Sequence, residues 1–402
     1  MALSGNKGEW SELYVLIKLL ADGKLFAADK NLQKISSVFY PIIKILRDES
    51  TTERKLEYIL NGKIRIKDSE SDKILVQVET IEFVEKAKEL FRLVSSQKGR
   101  SFNLPEMDDF LEKILIKKNK AKSGNKSDIT LVLHDAATGM DPTVSFSIKS
   151  LMGKDSTLLN PGPGTNFIYK IIPKANTKID YKRINKETIK DKKKGSKIAR
   201  RLRMLESMNC KIEFHKIQSE NFQLNMQLVD TDLPEIISFM LLYKYTGTEN
   251  KTKDLLNILE RNNPLNYRLD LGHPFYNYKV RSLLYDYALG MTPEAVWTGT
   301  YATNGGIIIV KQDGDVLCYH VYDKNVFQEY LIESTWFDQA STSEDEGNPG
   351  NERVFPKGKK PGKKYFFGWI YEEDDQCFIK INLQIRFLKT AKQKSLKKSS
   401  SK

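Results

Sequence analysis

The chain has 402 residues, with 65 Lys and Arg against 52 Asp and Glu and a formal net charge of +13. That length can bury a substantial core as one large domain or two, and the basic excess favours a polyanionic partner. Cys210, Cys318 and Cys377 are too few for a paired disulfide framework and lack metal-site spacing, which points to a reducing compartment.

The N-terminus lacks the basic start and small-residue cleavage site of a signal peptide. Its strongest apolar run, residues 13–20, is short and carries Lys18, so no membrane-spanning helix is expected and the location should be cytoplasmic. Trp10, Leu13, Ile17 and Leu20 recur at helical spacing and predict an amphipathic helix ending near Gly23. Glu9 and Glu12 lie three apart on neighbouring positions of that helix. Two acids in a first turn ordinarily complement the helix dipole.

Residues 56–78 alternate in short runs that suggest a helix and a β-hairpin, and residues 82–94 and 107–116 read as helices. A polar loop at 123–127 then leads to two adjacent strands, 129–133 and 144–149, joined by a turn rich in Gly, Asp and Pro. Asp128 opens the first strand and Lys149 closes the second. Paired side by side, they bring a carboxylate and an ammonium within reach of one phosphate, the minimum equipment of a metal-dependent nuclease. Taken alone the pattern is weak, because solvated strand ends also carry Asp and Lys. Lys126, two residues earlier, either touches a phosphate or is simply solvated.

Beyond Lys149 the chain is rich in hydroxyl and amide groups, among them Ser150, Thr157, Asn160 and Asn166, which suit phosphate oxygens better than a core. Residues 182–203 form the densest basic stretch, with Lys192, Lys193 and Lys194 at its centre. Such a run is either a solvated face or a phosphate-binding one. Residues 233–245, 255–261, 280–289 and 326–332 read as helices. Residues 306–310 and 316–322 flank Asp313-Gly314 as a hairpin, and 377–387 as strand. Residues 339–364 read as a flexible insertion, and the Lys- and Ser-rich end after 387 as a disordered tail. The scattered His134, His215, His273 and His320 give no zinc-ligand spacing, and no Gly-x-Ser-x-Gly elbow supports a serine hydrolase.

Several separated segments, in order, carry a resemblance. They include Gly5-Asn6-Lys7-Gly8-Glu9-Trp10-Ser11-Glu12, Lys126-Ser127-Asp128-Ile129 and Phe146-Ser147-Ile148-Lys149-Ser150-Leu151-Met152-Gly153. Further along come Gly272-His273-Pro274-Phe275-Tyr276, Gly305-Gly306-Ile307-Ile308-Ile309-Val310-Lys311 and Asn382-Leu383-Gln384-Ile385-Arg386-Phe387. On these the chain resembles the HpaII-type type II restriction endonucleases of the PD-(D/E)XK nuclease superfamily, nearly end to end. The resemblance implies an α/β (α+β mixed) fold, with a PD-(D/E)XK restriction-endonuclease-like core: a central mixed sheet flanked by helices, plus additional α+β DNA-recognition elements. Residues 1–175 are then the nuclease core and 176–387 the recognition and supporting region.

It also implies Mg²⁺-dependent double-strand cleavage of DNA at CCGG, leaving 5′-phosphate and 3′-hydroxyl ends. A cognate DNA methyltransferase of the same specificity would be its functional pair, and a two-fold site invites a homodimer. The superfamily places an acid two residues before the lysine, where this chain has Ser147. Another carboxylate is therefore required, from Glu12 or Glu9 on the first helix or from Asp155. Glu12 is favoured, because it lies four residues after Gly8, like the Gly-to-Glu step of related nucleases. The implied metal ligands are Asp128, Glu12 and the Ile148 carbonyl, with Lys149 beside the attacking water and Ser147 hydrogen-bonded within the site. The competing reading is a noncatalytic or structure-selective DNA-binding protein, with Ser147 marking a decayed site.

Overall fold

The computed structural model describes residues 3–49, 54–118, 127–136, 138–153, 155–174, 179–190, 195–339 and 368–388. Lys126, Lys192, Lys193 and Lys194 lie outside these residues, as do almost all of the expected insertion and tail. Helix α1 (Lys7–Asp22) is followed by strands β1 (Lys24–Ala28), β2 (Lys34–Glu49), β3 (Arg54–Asn61), β4 (Lys63–Asp68) and β5 (Ile74–Glu79). After helices α2 (Thr80–Ser96) and α3 (Asp108–Lys113) come strands β6 (Ile129–Leu133), β7 (Thr143–Ser150), β8 (Thr157–Leu159) and β9 (Asn166–Ile172). Helices α4 (Tyr181–Lys190) and α5 (Lys197–Ser207) precede strand β10 (Lys211–Ile217). Four helices follow: α6 (Glu220–Val229), α7 (Leu233–Thr246), α8 (Thr252–Asn262) and α9 (Phe275–Leu289). The chain then forms β11 (Gly306–Val310), β12 (Val316–His320), α10 (Lys324–Ser334), β13 (Thr335–Phe337), β14 (Ile370–Glu373), β15 (Gln376–Asn382) and β16 (Ile385–Phe387).

Local chemistry sets the ends of α1. Asn6 Oδ1 accepts from the Gly8 and Glu9 N–H groups, while Glu9 Oε2 accepts from the Asn6 N–H at 2.8 Å, a reciprocal capping box. At the other end Gly23 has φ +65°, a left-handed cap that suits glycine. Trp10, Leu13, Leu16, Ile17 and Leu20 are at most 2 % exposed, so this helix runs inside the protein rather than over it.

The helix expected within residues 56–78 is absent; β3, β4 and β5 form an antiparallel meander there. Leu56, Tyr58, Ile64, Ile66 and Val78 point inward at every second position, a period of two that fits strand and not helix. Gly62, at φ +71°, makes the tight turn between β3 and β4.

The main sheet has nine strands in the order β1-β12-β11-β7-β6-β2-β3-β4-β5. The sixteen-residue β2 also pairs with β1, which closes the first six strands into a ring of pairings. The sheet is mixed, with β7 antiparallel to β6 and parallel to β11. Every residue of β11 and β12 is buried, as expected of strands covered on both faces. Ile308 and Val310 join the core around Trp10 and α2, while Ile307 and Ile309 join a second core beneath α9 and α10. Strands from both sides of residue 175 therefore share this sheet. They also share a four-stranded sheet, β10-β9-β15-β14, and a three-stranded one, β8-β16-β13.

His320, 4 % exposed at the end of β12, lies edge-on to Phe146 of β7 at 5.7 Å between ring centres. Its Nδ1 accepts from the Tyr322 N–H, and burial lowers its pKa to about 4. A histidine held neutral in the fold contributes stability that is present above its unfolded pKa and is lost as pH falls toward 4. At pH 5 the cost should be about 2 kcal/mol. Melting curves at pH 7 and pH 5 check this: His320→Gln should lose less stability between them than the wild type.

Candidate active site

Asp128 stands at the threshold of β6, where its N–H donates to the Phe146 carbonyl at 2.9 Å and continues the ladder with β7. Its Oδ2 accepts from the Ile148 N–H at 2.8 Å and from Ser147 Oγ at 3.1 Å. Lys149 Nζ in turn donates to Ser147 Oγ at 2.9 Å. Side chains alternate along a strand, so Ser147 and Lys149 share one face of β7. An ammonium only donates and a carboxylate only accepts. The proton of Ser147 therefore points at Asp128, in a one-way chain from ammonium through hydroxyl to carboxylate. The three residues singled out from the sequence meet here, and Ser147 joins the other two.

Helix α1 packs against β7. Ser11, fully buried in its apolar face, lies 2.6 Å from the Lys7 carbonyl and 2.7 Å from Ser150 Oγ. The Ser11 hydroxyl is the donor toward both oxygens, sharing its proton between the Lys7 carbonyl and Ser150. This latch joins the residue before Glu12 to the residue after Lys149. Glu12 is half-buried, with its Oε2 shut off from solvent. Glu9 is placed differently, because its carboxylate serves the capping box. Asp155 is half-buried and its carbonyl accepts from Arg386 Nη1 at 2.8 Å.

Ser11 was not legible as a functional residue; its only signal is a small polar side chain beside Trp10 in an apolar run. Ser11→Ala should slow cleavage about tenfold, as loss of a supporting contact does, with duplex affinity unchanged. Adding Ser150→Ala should cost little more, since both changes remove one contact. Single-turnover rates of the two single variants and the double variant check this.

The expected DNA-contacting residues separate. Asn160 is exposed and Thr157 half-buried, whereas Ser150 is tied to Ser11. Asn166 sits in the interior. It is 0 % exposed, donates to Gln218 Oε1 at 3.0 Å and accepts from Asn382 Nδ2 at 2.7 Å, so it joins β9 to β15. The basic stretch is likewise not uniformly solvated. Arg201 is fully buried, with its guanidinium over the Trp369 ring at 4.2 Å and Nε donating to Thr188 Oγ1 at 3.0 Å.

Among the described residues no group of three or more His, Cys, Asp or Glu is placed to hold a metal ion. At this end of the β6–β7 strand pair the one carboxylate is Asp128, beside hydroxyl and carbonyl oxygens. An all-oxygen donor set of this kind fits a hard divalent cation and not zinc. Also among the described residues, no helix is long and apolar enough to cross a membrane.

A family model described as HpaII restriction endonuclease matches residues 6–348. The chain is 42 % identical over 388 residues to the type II restriction enzyme HpaII of Haemophilus parainfluenzae, covering 96 % of this chain and 99 % of the relative. No solved structure matches. With family coverage and identity of that extent, joined to an Asp–Ser–Lys constellation on adjacent strands, the chain belongs to the HpaII restriction endonuclease family.

Proposed function

We propose that this type II site-specific deoxyribonuclease hydrolyses both strands of DNA at CCGG, on a core of the PD-(D/E)XK kind, and leaves 5′-phosphate and 3′-hydroxyl ends. The observation that carries this reading is the hydrogen-bonded chain Lys149–Ser147–Asp128 at the ends of two paired strands. Mg²⁺ is the cofactor that the oxygen donors fit, with Asp128, Glu12 and the Ile148 carbonyl as its ligands. On a strand the N–H and C=O of one residue point to the same side, so the Ile148 carbonyl faces the edge its N–H shares with Asp128. When bound, the ion supplies Lewis-acid polarisation of the phosphate and lowers the pKa of a water.

The chain's own residues do the rest. Ser147 holds the Lys149 ammonium one hydroxyl away from Asp128, so the lysine remains a donor toward the phosphoryl oxygens. Lys149 then offsets the charge that grows on those oxygens in the transition state. The Ser11–Ser150 latch fixes α1, and Glu12 with it, against the end of β7.

Guanines of the site are read by Arg or Lys, and cytosine N4 by Asp, Glu or carbonyl oxygens, from residues beyond the catalytic strands. A palindromic site suits a two-fold dimer. The natural partner is a methyltransferase of the same specificity, in the cytoplasm. Lys126 and the Lys192–Lys194 run supply sequence-independent attraction to the duplex. Changing Lys192, Lys193 and Lys194 together to Gln should weaken binding to specific and random duplexes alike and flatten the salt dependence. An unchanged slope in an anisotropy titration returns the run to a solvated surface. Plasmid digestion tests the whole reading: discrete bands with Mg²⁺ and none with chelator support it, and a smear or intact plasmid counts against it.

A further inference from the structure

The sixteen-residue β2 runs from the catalytic strands to a part of the surface that the reaction leaves unused. Leu46 stands opposite Thr130 of β6, and Thr130 opposite Ser145 of β7, with the two hydroxyls 3.1 Å apart. Ser145 and Ser147 share one face of β7, so Leu46 projects on the catalytic side of the sheet. Tyr40, Ile42 and Ile45 pack against the core around Trp10. Phe39, Pro41 and Lys44 therefore lie on the outer side with Leu46, and each is half-buried or exposed.

At the far end β2 pairs with β1, Lys24 opposite Pro41 and Phe26 opposite Phe39. The register then slips before Ala28 meets Lys34, so residues 35–38 bulge against Ala27. Ser36 and Ser37 are exposed there, as are Val38 at 41 % and Phe39 at 44 %. The rings of Phe26 and Phe39 are 5.7 Å apart. Lys34 Nζ sits 3.7 Å from the centre of the Phe26 ring, and Lys24 Nζ 5.1 Å from the centres of both rings. Two ammonium groups thus crowd one aromatic ring, each with N–H donors left for another partner.

No carboxylate answers them. Among the described residues neither Lys24 nor Lys34 forms an ion pair. Asp29 accepts from the Asn31 and Gln33 N–H groups, Glu329 pairs with Lys30, and Glu57 pairs with Lys44. Asp22, Asp313 and Asp315 gather around Tyr14, whose side chain belongs to the core on the other side of the sheet. The outer face of this ribbon therefore carries a net positive charge. Like charges this close repel, and an anion that reaches both relieves the repulsion. A two-fold contact with a second copy would set these lysines against each other, which disfavours that occupant.

The geometry points to the β1–β2 ribbon as a docking surface for the sugar–phosphate backbone of double-stranded DNA outside the cleaved site. Lys24 and Lys34 contact phosphates, and the exposed Val38 and Phe39 pack on the sugars between them. From Leu46 to Phe39 an extended strand covers about 20 Å, and duplex DNA of that length holds about six base pairs. The contact therefore falls on flanking DNA and reads no sequence. This assignment rests on the DNA-cleaving activity proposed above and adds a surface that the Asp128 site does not contain.

The test is an anisotropy titration with chelator of two CCGG duplexes, one with flanks of about ten base pairs and one with flanks of about two, from about 50 to 200 mM salt. On the long duplex the slope of log affinity against log salt should shrink by about 2 for Lys24→Gln/Lys34→Gln, since each phosphate contact contributes about 0.9. On the short duplex the variant and the wild type should bind alike. Both lysines are exposed, so the fold should hold. Phe39→Ser should weaken binding of the long duplex several-fold at an unchanged slope, because an apolar contact releases no counterions. Lys211→Gln/Lys253→Gln, which removes exposed lysines on other elements, should leave the slope unchanged. A wild-type slope in Lys24→Gln/Lys34→Gln, with CCGG cleavage still occurring, overturns this surface alone. So does an equal loss of slope in the Lys211→Gln/Lys253→Gln control, or a change of oligomeric state in sedimentation without a change of slope. Absence of metal-dependent cleavage in the wild type overturns the parent reading instead.

Discussion

Asp128→Ala and Lys149→Ala should each stop cleavage, with single-turnover rates falling on the order of a hundredfold or more, while duplex affinity stays near that of the wild type. Asp128→Ala removes the carboxylate that accepts from Ser147 and Ile148, the group proposed above to hold the metal from this strand pair. Lys149→Ala removes a positive charge that matters most when charge develops on the phosphoryl oxygens. Ground-state binding depends instead on backbone contacts elsewhere, which is why affinity should survive. Either variant cutting at close to the wild-type rate would remove this strand pair from the catalytic centre.

Glu12→Gln should reduce activity nearly as sharply, because in the proposed site Ser147 leaves Asp128 as the one carboxylate of the β6–β7 pair and a second must come from α1. The change keeps the size of the side chain and removes its charge, so the fold should hold. Half-saturating Mg²⁺ for cleavage should rise steeply, and titration with Ca²⁺ should show weaker metal binding in the absence of turnover. Glu9→Gln is the control. Its carboxylate caps α1, so the variant should lose about 1 kcal/mol of stability and keep its metal dependence. A silent Glu12→Gln beside an inactive Glu9→Gln or Asp155→Asn would move the third ligand without touching Asp128 and Lys149.

What could be read from the sequence follows how local each feature is. Asp128 and Lys149 were legible because a short turn joins their strands, so their adjacency needs only one hairpin. The end of α1 was legible for the same reason: Gly23 sets it through a contact within a turn of the chain. The meander at 54–79 was misread in part because short apolar runs suit either element, and pairing with β2 decided the matter. β11 and β12 were found as a hairpin, but their insertion beside β7 depends on a parallel pairing far along the chain. The burial of Asn166 and Arg201 was not legible for the opposite reason. A polar side chain suggests solvent, and only tertiary partners such as Asn382 and Trp369 make a buried one stable.

The most direct measurement is cleavage of a randomised duplex library in Mg²⁺, with the new ends sequenced and their phosphates assigned. Cuts confined to CCGG, lost when either central base pair is exchanged, with 5′-phosphate and 3′-hydroxyl ends, are the predicted result. Ends scattered over sequence, or ends carrying a 3′-phosphate, would contradict site-specific hydrolysis by the Asp128–Ser147–Lys149 centre.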